Sequence, residues 1–201
     1  MAKRLSYAYL DTGALYRAVA WKIRKERLDP TNPDSLEAVL SHTEIRVIPR
    51  VNGSFISVDG QEVGASALRT PEVSQLASTV AAIPQVRVWL LPVQRSFAEK
   101  GGVVAEGRDM GTRVFPDADV KFFLDADLSV RAERRRNELA ENGEIYSLQV
   151  VQENMAERDA RDRTRAIDPL CPAEGAIMID TSNQSAGEVV DKMMSVIAAR
   201  L

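Results

Sequence analysis

Short, unbroken apolar runs alternate along this chain with stretches of helical period, and that alternation restricts the fold more than any other feature. Val103–Ala105, Val120–Leu124 and Ala176–Ile179 are compact runs of the kind buried on both faces in parallel sheets. Tyr7–Leu10 is a shorter β-prone stretch that ends at Asp11-Thr12-Gly13. A helix is predicted over Ala14–Arg27, with Leu15, Val19 and Ile23 on one stripe. Thr70 followed by Pro71 opens a helix to about Ala82, and Pro84 opens another to about Glu99 that Pro92 should kink. Ser129–Asn142, stopped by Gly143, and Ser147–Asp162 read as two more helices. Ser185 and Glu188 fit the capping box of a last helix whose Val190, Met193, Ile197 and Leu201 share a face. Strands alternating with helices predict an α/β fold, a parallel sheet flanked by helices.

One segment breaks the pattern. Asp29–Asp34 reads as a loop, with Ser35 capping a short helix through Leu40. Glu44–Arg50 and Ser54–Val58 then alternate apolar and polar, with the hairpin signal Asn52-Gly53 between them. Asp59-Gly60 marks a second tight turn before Gln61–Val63. The expectation is a small three-stranded antiparallel sheet inserted into the parallel fold.

Composition narrows the class. At 201 residues, 45% hydrophobic and 27% charged, the chain can bury a core as one domain and is not disordered. No apolar run approaches the ~18 residues of a membrane span. A single cysteine, Cys171, excludes a disulfide framework and a cysteine-based zinc cluster, so a reducing cytoplasm is expected. A formal net charge of −3 argues against bulk nucleic-acid binding. Of the 26 basic residues, 20 are Arg and 6 are Lys. Codon bias would explain that excess, and so would a need for the planar guanidinium fork that grips phosphates.

The positions of the arginines bear on the choice. Ligands of parallel sheets bind beyond the C-terminal ends of strands, where Asp11, Thr12, Arg17, Glu106, Arg108 and Asp109 cluster. In Gly107-Arg108-Asp109-Met110-Gly111-Thr112, two glycines permit close backbone approach beside Arg108 and Asp109. A phosphate clamp fits that segment, as does an Arg–Asp pair that merely closes a loop. Further on, Arg158, Asp162 and Arg165 share a helical face, and Arg161 and Arg165 form a second pair. From Arg131 to Arg165 there are eight arginines, eight acids and no lysine. A mobile arginine lid, a solvated helix pair laced with ion pairs and an RNA contact are the three readings of that run. His42 reads as a surface loop residue, Cys171 as a packed small residue, and Tyr7, Tyr9 and Trp21 as core or rim aromatics.

With LDTGALYRA at 10–18, Ser78–Arg87, AEGRDMGTRVFPDADVKFFLDA at 105–126 and RDARDRTR at 158–165, the chain resembles the bacterial cytidylate kinases over essentially its full length. The resemblance implies a P-loop nucleoside monophosphate kinase fold: a core of 1–30, 100–127 and 168–201, a monophosphate-binding insert at about 31–99, and an arginine-rich helical lid at about 128–167. It implies transfer of the ATP γ-phosphoryl group to CMP or dCMP with Mg²⁺, by a monomer without nucleic-acid or membrane partners. On it, Arg17 and Arg108 hold the CMP phosphate, Ser78, Arg87 and Asp109 read cytosine, and Thr12 lies near the base. Arg158, Asp162 and Arg165 contact ribose and phosphate from the lid, with Arg108, Arg158 and Arg165 as the catalytic set. Arg134 and Arg135 lie near the donor nucleotide, and no side chain is assigned as a metal ligand. The physical chemistry agrees, because Asp, Ser and Arg complement the donor and acceptors of a cytosine edge.

A family member should also carry a GxxxxGK[ST] loop after a first strand, whose amides and lysine cradle the donor phosphates. No such motif occurs in the sequence, and Met1–Leu5 resembles the end of the helix that should follow it. The expectation is a chain truncated at its N-terminus, with two sheet strands short of a partner; a non-catalytic CMP-binding remnant is the alternative function.

Overall fold

The computed structural model describes residues 1–50, 53–141 and 143–200. It divides into two compact units, Met1–Met110 and Gly111–Leu201.

In the first unit a short helix α1 (Ala2–Leu5) leads through Ser6, in the left-handed region at φ 56°, into strand β1 (Ala8–Asp11). Helix α2 (Thr12–Lys25) starts at the strand's last residue, because the Asp11 carboxylate accepts the Ala14 N–H at 3.0 Å and caps it. Its stripe of Leu15, Val19 and Ile23 is at most 1% exposed and forms the centre of this unit's core. The helix ends two residues short of Arg27, whose φ of 56° turns the chain away. Helix α3 (Pro33–His42) begins earlier than expected, since Asn32 rather than Ser35 caps it, accepting the Asp34 and Ser35 amides with Pro33 in its first turn. His42 is therefore the last residue of a helix and not a loop residue.

The antiparallel insert is present as expected. Strands β2 (Ile45–Arg50), β3 (Gly53–Val58) and β4 (Gln61–Val63) form one sheet in that order. Asp59 and Gly60 turn β3 into β4 with φ values of 52° and 78°, both positive as a tight hairpin turn requires. The Asn52-Gly53 turn signal falls on Asn52, which lies outside the described residues. A short helix α4 (Ala65–Leu68) precedes α5 (Pro71–Val80), capped by Thr70 as its sequence predicts, and α6 (Pro84–Ser96). Helix α6 runs through Pro92. The carbonyl that loses its donor there belongs to Val88, a residue that is 61% exposed. Val73, Ala77, Val80, Val86 and Leu90 of α5 and α6 are buried, and α5 packs on α2. Strand β5 (Val103–Glu106) then pairs in parallel with β1, Asp11 opposite Glu106.

A single π-helical turn, Met110–Val114, follows. In the second unit β6 (Phe122–Asp125) pairs in parallel with β7 (Ile177–Asp180). Between them come α7 (Leu128–Glu141) and α8 (Leu148–Thr164), which pack on each other, and after β7 comes α9 (Ala186–Ala198). The Ser185–Glu188 capping box is formed in both directions. The buried face of α9 is Val189, Met193 and Ile197, so Val190 is only at its edge. Cys171 is exposed, which corrects the expectation that it packs: it lies in the coil between α8 and β7 beside Pro169 and Pro172, which are exposed as well. Among the described residues, β5 and β6 each have one ladder partner, and the parallel strands form two pairs. No single helix among the described residues is long and apolar enough to cross a membrane.

Candidate functional site

In the first unit the candidate side chains Asp11, Thr12 and Arg17 gather where β1 and β5 end together. The parallel register sets Asp11 beside Glu106, and the next residue on each strand continues the meeting. Thr12, 2% exposed, donates its hydroxyl to the Glu106 carbonyl at 2.7 Å. The approach requires Gly107: a Cβ there would lie 2.4 Å from the Thr12 hydroxyl and 2.7 Å from Met110 Cε.

Asp11 is the hub of this strand end. Its Oδ1 caps α2, while its Oδ2 accepts from Arg17 Nη2 at 2.6 Å and lies 3.8 Å from Arg69 Nη2. Tyr9, half-buried on the same strand, hydrogen-bonds the Glu106 side chain. Burial, that hydrogen bond and the carboxylates of Glu106 and Asp11 push the Tyr9 hydroxyl well above its ordinary range, against the opposing charge of Arg69, so it stays protonated. Arg87 and Asp109, expected as separate readers of one base, form a buried ion pair with side chains 3% and 5% exposed. Arg87 also donates to the Ala81 carbonyl at 3.1 Å and lies 5.7 Å from the Tyr16 ring centroid. Ser78 is half-buried on α5, and Arg108 is exposed between Gly107 and Asp109. Sequence reasoning missed Arg69 and left Asp11 without a role. Arg69 stands at the end of a four-residue helix with no motif around it, whereas Asp11 carried a signal, the N-cap position before α2.

In the second unit Arg158 and Asp162 lie one turn apart on α8 as expected, whereas Arg165 is the C-cap that ends the helix, in extended backbone. Asp162, 7% exposed, lies 3.9 Å from Arg158 Nε and 3.6 Å from Arg165 Nη1. The Arg165 side chain is 5% exposed, and its Nε and Nη2 both donate to the Asp168 carbonyl, with Nε at 2.7 Å. Asp168 is held in the left-handed region at φ 50° and faces Arg113 at 3.7 Å. Gly111 packs so closely that a Cβ would sit 2.8 Å from that of Ala173. Arg131 ties α7 to α8 through Asp159 at 2.6 Å. Arg134 donates to the Thr181 and Gln184 carbonyls at 2.6 and 3.1 Å, and Arg135 pairs with Glu138 at 2.8 Å. Ion pairs thus lace α7 and α8. Among the described residues no group of three or more His, Cys, Asp or Glu side chains is placed to hold a metal.

Parallel strand pairs with polar residues at their C-terminal ends, a three-stranded antiparallel insert and an arginine-lined helix pair define an α/β protein of the nucleoside monophosphate kinase type. The family model described as Cytidylate kinase matches residues 1–199. Over 200 residues, all of this chain, it is 42% identical to a protein named cytidylate kinase in Carboxydothermus hydrogenoformans, of which it covers 90%. Cytidylate kinases of Salmonella paratyphi B and Salmonella newport are each 40% identical over 201 residues, 88% of their length. The chain belongs to the cytidylate kinase family. The family match begins at residue 1 and lends no support of its own to the expected truncation.

Proposed function

We propose that this protein transfers the γ-phosphoryl group of ATP to CMP or dCMP, giving ADP and CDP or dCDP. The observation that carries the reading is the strand end of the first unit, where Arg17, Arg108 and the buried Arg87–Asp109 pair accompany a family match along the whole chain. The attacking group is an oxygen of the acceptor phosphate, anionic at neutral pH, so the chain needs no general base. Its work is to align the acceptor and neutralise charge, which suits arginines. In this reading Arg17 and Arg108 hold the acceptor phosphate, while Ser78 and the Arg87–Asp109 pair read the cytosine edge beside Thr12. Arg158, Asp162 and Arg165 meet ribose and phosphate from a lid of residues 128–167, and residues 31–99 form the monophosphate-binding insert. Arg134 and Arg135 lie toward the donor. Mg²⁺ enters with ATP as part of the substrate, held chiefly by phosphate oxygens and water, a mode that asks for no cage of protein carboxylates.

The test is ADP formation from ATP by the purified chain with CMP, dCMP, UMP or AMP as acceptor, alongside calorimetry with the same monophosphates. Turnover with the cytosine nucleotides well above that with AMP is expected. CMP binding without turnover would reduce the protein to a binding remnant, and failure to bind CMP would sink the reading.

A further inference from the structure

We infer that Asp11 and Gly13 are positioning residues: Asp11 fixes the guanidinium of Arg17, and the missing side chain of Gly13 keeps that guanidinium's outer edge open to the acceptor phosphate. The inference rests on the proposed role of Arg17 and deepens it.

Asp11 is held at both oxygens. Oδ1 is anchored at the start of α2 by the Ala14 amide, and Oδ2 is turned onto Arg17 Nη2 at 2.6 Å. The anchored carboxylate fixes one corner of a side chain that otherwise carries several freely rotating bonds. Of five N–H donors, the one hydrogen bond that Arg17 makes among the described residues is this one, and its Nε is buried with no partner. A buried guanidinium donor left unpaired is costly, so the conformation is one that Asp11 imposes. Nη1, the neighbouring donor, lies over Gly13: a Cβ there would stand 3.1 Å from Nη1 and 3.1 Å from Asp11 Oδ1. A side chain at residue 13 would therefore press on the guanidinium and its carboxylate partner together. With glycine that pressure is absent, and the Arg17 side chain keeps 19% of its surface exposed.

Two substitutions perturb this arrangement by different routes. Asp11→Asn keeps a good N-cap for α2 but removes the carboxylate that holds Arg17. Gly13→Ala keeps the Asp11 carboxylate but presses on it and on the guanidinium together, while alanine, the better helix former, offsets the loss in stability. For each purified variant, CMP and cytidine affinities are measured by calorimetry and the melting temperature is recorded. Both variants should bind CMP about tenfold more weakly, about what the loss of one hydrogen bond to a charged group costs. Cytidine, which lacks the phosphate, should bind unchanged, and Gly13→Ala should melt no lower than the parent. Asp11→Ser, also a good cap, serves if Asp11→Asn does not fold. Unchanged or tighter CMP binding overturns the inference, as does equal loss for cytidine. Arg17→Gln separates the two levels: if it weakens CMP while the other variants do not, only the positioning roles fail. If it binds CMP like the parent, the phosphate role of Arg17 fails with them.

Discussion

Arg87 and Asp109 are two buried charges on which stability turns, and with them the proposed recognition of the base. Removing one member of a buried ion pair strands the other, and that cost exceeds what the intact pair contributes. Asp109→Ala should lower unfolding free energy by ~3–5 kcal/mol in urea denaturation, whereas Arg87→Met with Asp109→Leu should recover most of it. If the double variant is as unstable as the single one, the pair stabilises through its wider hydrogen bonding rather than through charge compensation. The base-reading roles proposed for them come from motif likeness, which gave no sign of their pairing. They stand 22 residues apart, on α6 and after β5, and only the packed chain brings them together. Arg69 was illegible for a similar reason: it approaches Asp11 across 58 residues of chain with no local pattern to mark it. Local chemistry was easier to read. Ser185 and Glu188 satisfy each other's backbone amides across one helical turn, so four residues of sequence contain the whole device.

At the scale of elements, helix α2 is joined to the antiparallel insert by Lys22, which meets Asp59 of the β3–β4 turn at 2.6 Å and Glu26 at 2.5 Å. Burial tends to raise the Asp59 carboxyl, but the Lys22 ammonium and the Glu44 amide outweigh it and hold the group below its ordinary range. Hydrogen bonds from Lys22 to Asp59 and Glu26 raise the Lys22 ammonium above its ordinary range. The lowered carboxyl stabilises the fold above the unfolded carboxylate pKa of ~3.9 and loses that contribution as pH falls through its folded value. The raised ammonium contributes fully below ~10.4 and loses its share as pH rises through its own higher value. Asp59→Asn suits the positive φ and leaves the turn intact, so it should cost only ~0.5–1 kcal/mol at pH 7. In thermal melts the gap between parent and variant should close below about pH 4. A gap that persists at low pH would trace the loss to the turn instead of the ion pair. The insert itself was legible because alternation and paired turn residues are period-2 signals within a few residues. The start of α3 was not, since Asn32 and Ser35 are both good caps and Pro33 decides between them by fitting the first turn.

For the molecule as a whole, stability should be unevenly distributed between the elements of its two units. Helix α2 buries seven residues, while the β6–β7 pair leaves Leu124 and Met178 about half exposed. A two-stranded parallel pair has few shared ladder bonds and little covering surface. Amides of β6 and β7 should therefore exchange with solvent before those in the middle of α2, as hydrogen exchange read by mass spectrometry would establish. Equal protection would mean that the β6–β7 pair is stabilised as fully as the α2 core. By itself the sequence determined the class of fold, the order of its elements, the antiparallel insert, the caps of α5 and α9 and the family. All of these depend on periodicities and spacings that act within a turn or a strand, or on motifs preserved in order. Tertiary structure alone decided which charges are buried, that Arg87 meets Asp109, and that Arg69 approaches Asp11. Those outcomes depend on register and packing between segments distant in the chain, where the free energy of a contact belongs to neither residue until both have been brought to it.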